Sequence, residues 1–119
     1  MSAFIFVLLF AACGQQHDAE VLIKEFMNAN LKSPTALSAI EFHKMDSTSR
    51  IGDSVIANIR KFTESANGQY RTGIAYPAGG NDGKKIKLVR VEYKLDGKAY
   101  SDTYYLNNDV TRIIAVKTN

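Results

Sequence analysis

Tryptophan is absent from these 119 residues, cysteine occurs once, and there are only two prolines and two histidines. A single thiol excludes an internal disulfide framework and any multi-cysteine zinc or iron–sulfur site. His17 and His43 show no ligand-like spacing, so neither a metal nor another cofactor is expected. Charge of one sign is scarce too: 15 Lys and Arg face 12 Asp and Glu, and the net +3 is too mild to name a partner. No apolar run reaches the roughly 20 residues that a membrane-spanning helix needs. What is present is ordinary for a globular chain. With 45% apolar and 23% charged residues, wholly disordered and low-complexity classes are set aside, and the length suits one domain.

Residues 3–12, Ala-Phe-Ile-Phe-Val-Leu-Leu-Phe-Ala-Ala, carry no charge. As a helix they span about 15 Å, half of a hydrocarbon core, which suits the apolar segment of a secretory signal peptide. The run Leu9-Phe10-Ala11-Ala12-Cys13 then resembles the lipobox of bacterial lipoproteins, with Phe10 where Leu is usual. No Lys or Arg precedes the run, which points to a translation start upstream of Met1. The resemblance implies cleavage before Cys13 and acylation of its sulfur and its new amino terminus. Residues 1–12 are then expected to be a signal peptide, 13–17 a lipidated Cys and short polar tether, and 18–119 a single domain. The implied address is extracytoplasmic and membrane-anchored. Gly14 stands where an inner-membrane retention signal has Asp, so the outer membrane or cell surface is favoured; Asp18 and Glu20 loosely suit a surface-export signal. Nucleic acid is not an expected partner there.

Asp18 is placed to cap a helix running to about Leu31, with Ala19, Leu22, Ile23, Phe26, Met27 and Leu31 on one stripe. Ser33-Pro34 ends it, and Pro34 suits the first position of one further turn. Alternation through Ile40-Glu41-Phe42-His43 predicts a strand over about 38–45, and Asp46–Ser49 reads as a polar break. Ile51, Val55, Ile59 and Phe62 recur at helical spacing, with Asp53 as the expected cap and Asn67-Gly68 as the stop. Strands are expected over Tyr70–Tyr76, Lys85–Leu95 and Val110–Val116, with another between the last two. Asp96-Gly97 fits the two positive φ angles of a type I′ hairpin turn. Pairing outward from it sets Tyr93 opposite Tyr100, Val91 opposite Asp102 and Val89 opposite Tyr104. Ile86 and Leu88 fall out of phase with Val89, Val91 and Tyr93, which predicts either a bulge or burial on both faces.

The expected fold class is α+β in two layers: the N-terminal helix, with a second behind it, packed on an antiparallel sheet of four to five strands. This order is similar to the cystatin-like and nuclear-transport-factor-like folds, and to the small domain of outer-membrane assembly lipoproteins. Gln69-Tyr70-Arg71-Thr72-Gly73 resembles the Gln-x-Val-x-Gly loop of cystatins, with Arg71 in place of Val and no partner Trp loop. An inhibitor would need that segment at a hairpin tip.

Two constellations remain. Asp102 shares a face with Val91, Tyr93, Tyr100 and Tyr104. In a sheet cone resembling ketosteroid isomerase it would be a buried base with tyrosine donors nearby. The plainer reading is a solvated face with a tyrosine ladder. Lys84, Lys85, Lys87 and Arg90 form a basic cluster, with Lys94 and Lys98 beyond it, able to attract an acidic partner or serve as edge protection. The expectation is a lipid-anchored, non-enzymatic domain that binds a protein or other envelope macromolecule. A small enzyme or ligand carrier built on Asp102 is the alternative.

Overall fold

The computed structural model describes residues 2–48, 51–64, 68–76 and 85–119, with side chains from residue 14 onward. The elements are α1 (Ser2–Asn30), a 3-10 turn (Pro34–Ala36), β1 (Leu37–Phe42), β2 (Asp46–Thr48), α2 (Asp53–Thr63), β3 (Ile86–Leu95), β4 (Lys98–Leu106) and β5 (Ile113–Thr118). They form an α+β fold: two helices packed on one open antiparallel sheet of order β1-β3-β4-β5, with β2 also paired to β3.

The hairpin of β3 and β4 organises the sheet. Asp96 (φ +50°) and Gly97 (φ +83°) both take the left-handed conformation that the turn requires. The register that follows from it is as expected: Tyr93 pairs with Tyr100, Val91 with Asp102 and Val89 with Tyr104, with no bulge along β3 and β4. Of the two explanations for Ile86 and Leu88, burial on both faces is the one realised. Val89, Val91 and Tyr93 face α1, whereas Ile86 and Leu88 join Ile56, Ile59, Ile114 and Ala115 in a second cluster under α2.

α1 does not begin at Asp18. Nothing between Ser2 and Asp18 stops a helix, since a lone Gly14 costs only about 1 kcal/mol, so Asp18 sits exposed within the helix and caps nothing. Its buried stripe is as read: Ala19, Ile23, Met27 and, just past its end, Leu31 are fully buried, with Leu22 and Phe26 packed alongside. The Gln16 carboxamide donates to the His43 carbonyl (3.2 Å) and accepts from the Met45 amide (2.8 Å). Gln16, expected in the tether, is thus held against the sheet, in the gap between β1 and β2.

Other expectations are corrected. Asp46–Thr48 is not a break but a short polar strand beside Ile86–Leu88. Tyr70–Tyr76 forms no strand. Its backbone bonds go to the end of α1, through Lys32 N–H to Gln69 O (2.9 Å) and Arg71 N–H to Asn30 O (2.8 Å), and Gly73 turns away at φ +71°. β5 starts at Ile113 rather than Val110 because the buried Asn107 side chain accepts from the Thr111 and Arg112 amides (2.8 and 2.9 Å), holding Val110 in a turn. α2 is capped by Gly52, which leaves Asp53 in its first turn, and the Asn67 stop lies outside the described residues.

α2 also closes the outer edge of β5. Arg60 Nε donates to Ile114 O (2.8 Å) and Thr63 Oγ1 to Val116 O, so two carbonyls facing away from β4 are satisfied. Thr63→Val is therefore expected to cost about 1–3 kcal/mol through the orphaned Val116 carbonyl, read from urea denaturation midpoints.

Candidate functional site

β4 carries Asp102 and Tyr104 to the face covered by α1, β3 brings Tyr93 alongside, and the loop after α2 inserts Gln69 and Tyr70. Asp102 is 0% exposed. Its Oδ2 accepts hydroxyl protons from Tyr70 and Tyr93, both at 2.5 Å, and its Oδ1 accepts from Gln69 Nε2 at 3.2 Å. Gln69 Nε2 also lies 2.9 Å from the Tyr93 hydroxyl, and the Tyr104 and Tyr70 hydroxyls are 2.5 Å apart. Because Tyr70 spends its proton on Asp102, Tyr104 is the donor in that pair. One proton ordering satisfies all five groups: Tyr104 to Tyr70, Tyr70 and Tyr93 to Asp102, and Gln69 across the top.

Phe26 of α1 covers this cluster, edge-on to Tyr104 at 5.7 Å and tilted against Tyr70 at 6.2 Å. That cover sets the electrostatics. Burial raises the Asp102 pKa above its ordinary 3.8, although the donors from Tyr70, Tyr93 and Gln69 pull the other way. Burial likewise raises Tyr70, Tyr93 and Tyr104, and the neighbouring carboxylate opposes ionisation of each. The tyrosines are therefore donors that stay protonated at any physiological pH. The plainer expectation of a solvated face is overturned here, because a half-polar face on β4 still lies under an aromatic of α1.

One part of the tyrosine ladder survives. Tyr93 stacks on Tyr100 at 5.7 Å and 17°, and Lys98 Nζ lies over the Tyr100 ring at 5.4 Å. Beside them an open concavity of about 670 Å³ is lined by Glu41, Glu92, Lys94, Lys98, Tyr100 and Asn119 among others. Asp102 does not line it. A substrate in that concavity would meet two carboxylates and two ammonium groups at the surface, and would not reach the buried acid.

The basic cluster is not gathered into one surface. Lys87 projects on the face of Val89, while Arg90 lies on the opposite face, with Nε 3.2 Å from Ser101 Oγ and a guanidinium nitrogen 3.4 Å from Glu92. Lys85 is exposed just before β3, and both Lys84 and the Cys13 side chain lie outside the described residues. Gln69 and Tyr70 are the members that sequence reasoning missed as Asp102 partners. Their separation of 33 and 32 residues from Asp102 leaves no local pattern. Tyr70 is fully buried, so the Gln69–Gly73 run is packed onto α1 rather than lifted as a hairpin tip.

Among the described residues no group of three His, Cys, Asp or Glu is placed to hold a metal ion, and no helix is long and apolar enough to cross a membrane. Compared with protein-family models, curated proteins and solved structures, the chain matches none.

Proposed function

We propose that this chain is a lipid-anchored extracytoplasmic domain that binds a protein or other envelope macromolecule and carries out no chemistry of its own. The state of Asp102 supports this reading most directly. The acid that a sheet-cone enzyme would use is fully buried and bound to Tyr70, Tyr93 and Gln69, so it locks the 68–71 segment onto β4 and has no lone pair aimed at a solute. A base that attacks a substrate must come within hydrogen-bond reach of it.

The anchoring half rests on the lipobox-like Leu9–Cys13 run. Gln16 adds a consequence. Three residues span about 4.5 Å as part of α1 and at most about 10 Å if extended, so a lipid on Cys13 would hold the β1–β2 edge close to the bilayer surface. The two acyl signals that stable attachment requires would come from the sulfur and the amino terminus of the same residue.

Cys13→Ala in the native host is the deciding experiment. The variant is expected to lose the mass of the acyl groups and to move from the membrane to the soluble or precursor fraction. Unchanged fractionation and an unmodified wild-type sulfur would discard the anchor. Crosslinking in the intact envelope, followed by mass spectrometry, tests the binding half. It is expected to return one recurrent macromolecular partner, and a chain that crosslinks to nothing above background would remove that half.

A further inference from the structure

Asp102 is fully buried, yet among the described residues no Lys, Arg or His helps to set its charge. A buried acid ordinarily has a cation beside it. This one holds a piece of chain instead. Gln69 and Tyr70 bond to it from residues 68–71, which lie in no helix and touch the strands' hydrogen-bonding system through the single Leu31–Tyr70 bridge. The backbone there is tied to the end of α1 by Lys32 N–H to Gln69 O and Arg71 N–H to Asn30 O. Arg71, Thr72 and Gly73 are exposed, so little apolar packing fixes the outer side.

We propose that residues 68–71 are a strap latched by the Asp102 carboxyl, and that the strap opens more readily once this carboxyl has lost its proton. The latch is independent of the lipid anchor. Closed and protonated, the acid donates to the Gln69 carboxamide, whose oxygen and nitrogen exchange places by a half-turn, while Oδ2 still accepts from a tyrosine. Closed and ionised, it is a full charge under Phe26, and three neutral donors offset only part of the lost hydration. Lifting 68–71 brings water to the carboxylate and leaves the Tyr93 bond in place. Opening therefore releases a proton. By linkage it is favoured as pH rises from the ordinary carboxylate value of 3.8 through the value raised by burial.

The titratable groups facing Asp102 are Tyr93 from β3, Tyr104 from β4 and Tyr70 from the strap. α1 presents Phe26 to the cluster and β5 pairs Thr118 with Asp102, and neither residue titrates. Burial keeps all three phenols protonated, so within this window the carboxyl alone changes charge. The far side of the strap is fixed separately to α2. Ile74 N–H donates to Glu64 Oε1 at 2.6 Å, and the Arg60 guanidinium lies 4.3 Å from the centre of the Tyr76 ring. Gly73, at φ +71°, stands between these fixings and the latch, which places the hinge. Opening would uncover Asp102 with the Tyr93 and Tyr104 hydroxyls, a polar pocket that the closed chain withholds from solutes.

Amide hydrogen exchange reads the latch directly, in the full chain in detergent with Cys13→Ser to keep the outcome independent of lipidation. Closing the strap protects the Lys32 and Arg71 amides. Protection is taken as the ratio of intrinsic to observed rate, which removes the pH dependence of exchange itself. Between about pH 4 and about pH 7 it is expected to fall at least about threefold at both amides, since a tenfold difference in proton affinity between closed and open strap makes opening up to about tenfold easier. Asp102→Asn should abolish that fall, whereas Glu64→Gln, at the other fixing, should leave it. Val91 and Tyr104, central in the β3–β4 hairpin, should stay at least about tenfold better protected, because they exchange only when the sheet comes apart. Strap amides as well protected as the hairpin would mean that 68–71 leaves only with the whole fold, and would overturn the proposal. So would protection indifferent to pH, a fall that persists in Asp102→Asn, or one that Glu64→Gln removes.

Discussion

Asp102→Ala is expected to cost about 3–5 kcal/mol, whereas Asp102→Asn costs less than about 1.5 kcal/mol at neutral pH. Alanine leaves the Tyr70 and Tyr93 hydroxyls and the Gln69 amide without their acceptor, in a site that Phe26 keeps dry. Each orphaned buried donor contributes about 1–3 kcal/mol, and partial rearrangement among them keeps the sum below the simple total. Asparagine keeps one acceptor oxygen and avoids burying a charge, while the tyrosine hydroxyls can rotate to accept from its amide. Urea denaturation of both variants checks this. An alanine variant within about 0.5 kcal/mol of wild type, the range of an ordinary surface substitution, would mean that the cluster is not sealed.

The same carboxyl gives a pH signature opposite to that of a salt-bridged acid. Its folded pKa is raised above 3.8 by burial, so the folded chain holds the proton more tightly than the unfolded one. The stabilising contribution is complete below the unfolded value and is lost as pH rises through the folded value. Wild type minus Asp102→Asn should therefore show stability falling with pH in that window. A flat difference, or one that rises, would contradict the burial of the acid.

How far the sequence reaches depends on how local the governing physics is. Asp96-Gly97 dictates a turn through two positive φ angles, and the whole β3–β4 register follows from it without any knowledge of the rest of the molecule. The stripe of Ala19, Ile23, Met27 and Leu31 is legible for the same reason, since helical periodicity is intrinsic to the segment. Asp102 marks the limit. The register places it correctly among the tyrosines, but whether that face is wet depends on where α1 lies and on Phe26. Tyr70 and Gln69 reach it from a segment whose alternation suggests a strand, because nothing in the neighbouring sequence shows that its backbone will bond to the end of a helix instead. Val110 is a comparable case: Asn107 overrides β propensity and holds a β-branched residue at φ +55°.

Met27→Ala is expected to cost about 2–5 kcal/mol, and Phe62→Ala almost nothing in the monomer. The two residues look alike in sequence, each a large apolar side chain on a helical stripe. Met27 is fully buried between α1 and the sheet, in the cluster with Val89, Val91, Tyr104 and Leu106, so truncation leaves a cavity that the packed strands cannot close. Phe62 faces solvent, and its loss removes few contacts within its own chain. Leu22 and Phe26, only partly buried, should fall between these extremes. Thermal and urea denaturation separate the two classes. Equal costs at Met27 and Phe62 would contradict the burial difference between them, whereas the expected gap locates the fold's stability in the packing of α1 on the sheet.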